Sequence, residues 1–130
     1  MDCPACGAAT VAFTVPEQYR DLLRGEDPGA ALCTGCLRLH PVTDPPDETP
    51  DFTAVSNAFP GNAEAAVPLA ILVGLLETLA THRAEITELL GAVERAGTDP
   101  FLAVDRLADD PAIDAAADLR RRRHQLEQLL

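Results

Sequence analysis

The feature that most constrains this chain is a pair of Cys-x-x-Cys motifs. Cys3 and Cys6 form the first motif, Cys33 and Cys36 form the second, and these are all four cysteines of the 130-residue sequence. The two motifs are separated by 26 residues, a little more than is usual in zinc ribbons. Each motif can supply two sulfurs to a tetrahedral Zn²⁺ site with bonds of about 2.3 Å. The sequence therefore predicts one structural zinc ion bound by these four cysteines.

The residues between the motifs are expected to form a small module that depends on the metal. Thr10–Val15 carries apolar side chains at alternate positions, as a β-strand does. Pro16 then suits the first turn of a short helix that ends at Gly25. About forty residues bury too little surface to fold alone, and structural zinc contributes folding free energy on the order of 10 kcal/mol. Residues 1–43 are therefore predicted to be a zinc-ribbon-like module.

The cysteines have alternative interpretations: a redox-active dithiol, a disulfide pair, or unrelated buried thiols. A thioredoxin-like motif opens a helix after a strand, and only two residues precede Cys3. Paired motifs of this kind in a cytosolic protein are more often metal sites than disulfides. Four cysteine ligands would close the coordination sphere, whereas a catalytic zinc keeps one position open for water. We therefore expect no enzymatic activity.

The histidines are interpreted as structural or surface residues. His40 follows Cys36 by four residues and is a possible extra ligand, but four cysteines already saturate the ion, which favours a surface residue at a strand end. His82 lies on an apolar helical stripe, which favours a core or interface residue over a catalytic base. His124 lies in a charged stretch and is expected to be solvated.

Residues 44–61 are predicted to be an acidic, proline-rich connector. Phe52, Val55 and Phe59 within it have the spacing of one or two helical turns that follow an Asp51 cap. Such turns would attach the connector to an apolar surface.

Residues 62–130 are predicted to form a unit of three helices. The first is expected to begin between Asn62 and Val67, so that Pro68 lies in its first turn, where proline is best tolerated, and to continue to about Ala96. Thr98 or Asp99 is expected to cap the second helix, ahead of Pro100, and Asp110 is expected to cap the third, ahead of Pro111. The predicted fold class is therefore α+β, with the zinc-ribbon-like module followed by a three-helix unit.

The first half of the long predicted helix is apolar on all sides, and a helix of this kind must be covered on more than one side. We therefore predict an unknown protein partner or self-association through the Val67–Leu79 helix. The longest apolar run, Ala65–Leu76, has twelve residues, and about 20 are needed to span a bilayer. With no signal peptide visible, the sequence predicts a cytoplasmic protein without a membrane span.

The charge of the chain predicts a salt-rich environment. There are 21 acidic residues and 10 basic ones, which are all arginine, so the formal net charge is −11. Such self-repulsion is screened when the Debye length falls to about 3 Å near 1 M salt. The same charge makes nucleic-acid binding unlikely, because that binding is driven by phosphate neutralisation. The alternative is a transcription-related regulator that binds nucleic acid through the ribbon and Arg120–Arg123.

The first motif and its surroundings are similar to a known group of proteins. The stretch Cys3–Gly7, with the Cys33 and Cys36 pair, resembles the small haloarchaeal CPxCG-related zinc-finger proteins. The segments Val15–Arg20 and Leu126–Leu130 look like a full-length haloarchaeal family of unknown function. The resemblance implies a zinc-binding cytosolic protein with no assigned activity. In the second motif, Leu37 stands where a second knuckle glycine would be expected.

These observations together predict a non-enzymatic, zinc-stabilised adaptor that binds another protein. A thiol redox protein remains the second alternative.

Overall fold

The computed structural model describes residues 2–21, 23 and 27–129, and it has the predicted α+β fold. A three-stranded antiparallel sheet lies near the N-terminus, and helices follow it. The strands, in sheet order, are β1 (Thr10–Thr14), β2 (Gly29–Cys33) and β3 (Leu39–Val42). The α-helices are α1 (Glu17–Arg20), α2 (Ala63–Leu75), α3 (Arg83–Arg95), α4 (Pro100–Asp109) and α5 (Leu119–Glu127).

The central strand β2 is buried along its whole length, because it is covered on both edges and both faces. It carries Cys33 at its end, opposite Thr10 of β1. On its other edge, Ala31 pairs with His40 of β3. Pro41 has no N–H to donate, and β3 is an edge strand, where proline is tolerated. The sheet therefore delivers the second cysteine motif and His40 to the same region.

The strand predicted over Thr10–Val15 is confirmed, and Phe13 and Val15 are buried as expected. The short helix after it is also present, although Pro16 caps α1 instead of lying in its first turn. The predicted end of that helix at Gly25 lies outside the described residues.

The prediction of one long helix over Asn62–Ala96 is wrong. Asn62 does cap α2 through a hydrogen bond from the Ala65 amide, but the helix ends at Leu75 and continues only as a short 3-10 turn over Leu76–Thr78. The Thr78 hydroxyl donates to the Leu75 carbonyl, a local bond that competes with helical geometry. The break lets α3 pack alongside α2.

Pro68 lies in the interior of α2 and not in its first turn. It removes one intrahelical hydrogen bond near the solvated start of the helix, where the carbonyl of exposed Glu64 can bind water.

The prediction that Asp110 caps the last helix is also wrong. Asp110 accepts hydrogen bonds from the Ser56 hydroxyl at 2.7 Å and from the Ala112 amide at 2.9 Å, and the residues that follow are not helical. Helix α5 begins only after Asp118, whose side chain accepts from the Arg121 amide. Within the described residues, four α-helices therefore follow the connector in place of three.

One apolar core joins the sheet to the helices. The Phe52 ring lies 5.2 Å from that of Phe13 and 5.5 Å from that of Phe59. Asp51 caps the 3-10 turn at Phe52–Ala54, so the predicted attachment of the connector to an apolar surface is confirmed. The domain boundaries at residues 43/44 and 61/62 stay predictions.

Helix α2 lies at the centre of this core. From Ala65 to Val73 all of its side chains are buried, and Leu75, Leu76 and Leu79 are buried too. The apolar surface from which we predicted a partner for Val67–Leu79 is therefore covered by the chain itself, which overturns the reason for that prediction. No described helix is long and apolar enough to cross a membrane.

Candidate metal centre

The first cysteine motif forms a tight knuckle. The Gly7 amide donates to the Cys3 carbonyl at 2.8 Å, and the Cys3 amide donates to the Ala8 carbonyl at 2.8 Å. Gly7 has a φ of +81°, in the left-handed region that favours glycine. This turn directs the Cys3 and Cys6 sulfurs toward the second motif.

The second motif forms a matching knuckle at the end of β2. The Cys33 sulfur accepts the amides of Gly35 at 3.3 Å and Cys36 at 3.4 Å. Leu37 has a φ of +63°, so it adopts the left-handed conformation that Gly7 adopts in the first knuckle. Leu37 is also buried in the apolar core, and burying a leucine contributes about 1.5–3 kcal/mol, enough to offset the strain. Both knuckles thus turn in the same way despite the missing glycine.

The four cysteines meet as the sequence predicted. All four sulfurs lie within 4.8 Å of one another, and they form a group that could hold a metal ion. Cys3 and Cys36 sulfurs are 3.7 Å apart, and Cys6 and Cys33 sulfurs are 3.3 Å apart. Metal–sulfur bonds of about 2.3 Å in a tetrahedron place sulfurs roughly 3.8 Å apart, so the cluster fits a single ion. Cys3, Cys33 and Cys36 are buried, whereas Cys6 is exposed.

The thiols of the cluster differ in acidity. Burial alone would raise the pKa of Cys3, but backbone hydrogen bonds from Cys6 and Ala5, with help from the His40 side chain, lower that pKa to about 6. Burial raises the pKa of Cys36 to about 12. Hydrogen bonding therefore favours the thiolate form of Cys3, whereas burial favours the protonated thiol of Cys36. A metal that binds all four sulfurs must expel the Cys36 proton, so its affinity falls as the pH falls.

The segment 111–118 covers the second knuckle, a contact that the sequence analysis missed. The amides of Asp114 and Ala116 donate to the carbonyls of Gly35 and Cys36, each at 2.9 Å. These bonds link residues about eighty positions apart, which no local pattern indicates. The Asp-Pro pair at Asp110 instead favoured a helix over the segment 111–118. The C-terminal part of the chain is thus attached directly to the cysteine cluster.

His40 was predicted to be a surface residue at a strand end, and this is only partly right. It lies on β3 as expected, but it is half-buried and its Nε2 atom is 3.2 Å from the Cys3 sulfur. Its position four residues after Cys36 was the only signal in the sequence.

The other two histidines match their predictions. His82 is buried, and its Nδ1 lies 2.8 Å from the Thr78 hydroxyl and 3.1 Å from the Thr78 carbonyl oxygen. His124 is exposed.

The Arg120–Arg123 run is largely engaged by the protein itself. Arg120 forms an ion pair with Asp109. Arg122 donates to the Gln125 side chain at 2.9 Å. Arg123 forms ion pairs with Asp105 and Glu127 and lies over the Phe101 ring. Three of the four guanidinium groups are therefore engaged by neighbouring side chains, and the ion pairs with Asp109 and Asp105 connect α5 to α4.

This geometry defines a class of protein: a small α+β protein whose ribbon-like sheet carries a four-cysteine cluster. Residues 2–130 match a family of unknown function, DUF6276, and the chain belongs to that family. The predicted likeness to a family of unknown function is confirmed, while its haloarchaeal and CPxCG zinc-finger features stay predictions. No curated protein and no solved structure matches the chain.

Replacing Gly7 by alanine is expected to lower the free energy of unfolding by about 1 kcal/mol, because alanine is strained at a positive φ. A Cβ at Gly7 would meet no atom within 4 Å, so the loss comes from the backbone alone. Gly61→Ala is the matched control, since Gly61 also has open space but no positive φ. Chemical denaturation of both variants measures the difference, and equal stabilities would contradict the described knuckle.

Proposed function

We propose that Cys3, Cys6, Cys33 and Cys36 bind one structural Zn²⁺ and that the protein is a non-enzymatic interaction module of a halophilic cytosol. The observation that carries the proposal is the meeting of four sulfurs within 4.8 Å at two knuckles of matching geometry. Four thiolates in a tetrahedral arrangement are a donor set that zinc favours. The resemblance of Cys3–Gly7 to CPxCG zinc-finger proteins supports the same ion.

The closed donor set supports a binding role over catalysis. When all four ligands are protein sulfurs, the metal has no open position for water or substrate. The metal would then contribute to the stability of the fold, because its ligands lie in both knuckles. The second knuckle ends strand β2 and is bound by the segment 111–118. We therefore propose that this scaffold acts through its surface.

The surface favours a protein partner over nucleic acid. The chain carries a net charge of −11, which repels phosphates. Two of the four guanidinium groups that would supply the opposing charge, those of Arg120 and Arg123, are paired with Asp109, Asp105 and Glu127.

Isolation of the tagged protein in about 2–3 M KCl, where surface charge is strongly screened, tests the proposal. We expect one zinc per chain by elemental mass spectrometry, four thiols that resist alkylation until a chelator is added, and a protein or a second copy of the chain in stoichiometric amount. Disulfides or freely reactive thiols without zinc would support the redox alternative. Nucleic acid that stays bound at this salt concentration would support the alternative, a transcription-related regulator.

A further inference from the structure

We propose that His40 is a positioning residue of the metal centre, which donates a hydrogen bond from Nε2–H to the Cys3 sulfur and thereby slows metal release. The inference rests on the proposed metal site. It concerns a residue that is not one of the four ligands.

The geometry supports a hydrogen bond to the sulfur. The Nε2–Sγ distance is 3.2 Å, and a thiolate offers only acceptor sites, so the ring nitrogen is the donor. The backbone of His40 is fixed by its pairing with Ala31 in β2, the strand that ends at Cys33. The imidazole is therefore held at the cluster by the same sheet that carries a ligand.

The cysteine sulfurs differ in their burial and in the hydrogen bonds that they accept. Cys33 is fully buried and accepts two backbone amides, those of Gly35 and Cys36. Cys3 is buried and has the His40 side chain beside it, in addition to backbone hydrogen bonds from Ala5 and Cys6. Cys6 is exposed, so a competing chelator can reach that sulfur first.

A four-thiolate zinc centre carries excess negative charge, and N–H donors to the sulfurs withdraw part of it. Such outer contacts orient the ligands, and their loss typically weakens metal binding by about 10–100-fold. If a chelator displaced Cys6, then Cys3, Cys33 and Cys36 would be left to hold the metal. The bond from His40 stabilises the Cys3 ligand at this stage, so its removal accelerates complete release.

The test compares three variants that differ in their ability to donate. His40→Leu removes the donor, His40→Gln restores an N–H group, and His124→Leu is the control at an exposed histidine. Zinc transfer to a chromogenic chelator gives the release rate, and the sulfur-to-metal charge-transfer band of the Co²⁺-loaded protein reports on the thiolates. Circular dichroism confirms that each variant is folded.

We expect His40→Leu to release zinc about 10-fold faster and to shift the charge-transfer band. His40→Gln should fall between His40→Leu and the wild type, and His124→Leu should match the wild type. A purely structural role for His40 would leave the band unmoved and would not be rescued by glutamine.

Three results would overturn the inference. If His40→Leu released zinc at the wild-type rate and left the charge-transfer band unchanged, the positioning role would be excluded and the proposed metal site would stand. If the spectrum of the Co²⁺-loaded wild type indicated three sulfur ligands and one nitrogen ligand, His40 would be a ligand and not a positioning residue. Wild-type protein that binds no metal would overturn the proposed function, and the inference with it. If His40→Leu does not fold, His40→Phe takes its place.

Discussion

Replacing Cys33 by serine is expected to abolish stoichiometric metal binding and to unfold the sheet. Cys33 is fully buried at the end of β2, and its sulfur accepts the amides of Gly35 and Cys36. Structural zinc contributes on the order of 10 kcal/mol, while domains of this size are stable by only about 5–15 kcal/mol. Loss of one buried ligand therefore removes most of the net stability.

The effect should reach the C-terminal half, because segment 111–118 is bound to the second knuckle. We expect the amides of Asp114 and Ala116 to lose hydrogen-exchange protection in Cys33→Ser and in the chelator-treated wild type. Thr34→Ser is the matched control, since it keeps the hydroxyl that donates to the Ala9 carbonyl. A Cys33→Ser protein that keeps its zinc and its unfolding midpoint would contradict the account.

Replacing Gly74 by alanine is expected to lower the free energy of unfolding by about 1–3 kcal/mol, although alanine normally favours helices. A Cβ at Gly74 would overlap Cγ and Cδ1 of Leu39 and lie 3.1 Å from its Cβ. This close approach is where β3 packs on α2. The loss of stability therefore measures how tightly the sheet that carries the cysteine cluster fits against the helices.

A double-mutant cycle isolates this contact. Leu39→Ala opens the space that the new methyl group needs, so we expect the double variant to lose less than the sum of the two single losses. Gly91→Ala is the control in α3, where a Cβ would meet only the flexible end of Arg95, and it should be neutral or stabilising by up to about 1 kcal/mol. Denaturation midpoints that are the same for Gly74→Ala and Gly91→Ala would contradict the packing.

The parts of the structure that depend on neighbouring residues could be predicted from the sequence. The alternation in Thr10–Val15, the two Cys-x-x-Cys spacings and the cap at Asp51 each act over a few residues. The meeting of the four sulfurs followed from the chemistry of metal binding, which requires distant thiolates to converge.

The parts that depend on distant contacts could not be predicted. The helical stripe continues across Thr78, so periodicity predicted one helix where local hydrogen bonding by Thr78 makes two. The residues after Asp110 carry helix-start signals, but their amides at Asp114 and Ala116 bind carbonyls of the second knuckle instead.

Leu37 and His40 show the same limit at the candidate metal centre. A leucine gives no sign that it will adopt a positive φ, since the burial that compensates for it depends on the folded core. The contact of His40 with Cys3 depends on the register of β3 against β2, which no local pattern specifies.

X-ray absorption at the zinc edge, on protein purified at high salt without chelator, tests the central claim most directly. The account predicts zinc with four sulfur neighbours at about 2.3 Å and no nitrogen or oxygen in the first shell. A first shell with a nitrogen neighbour in place of a sulfur, or a protein that holds no zinc, would contradict it.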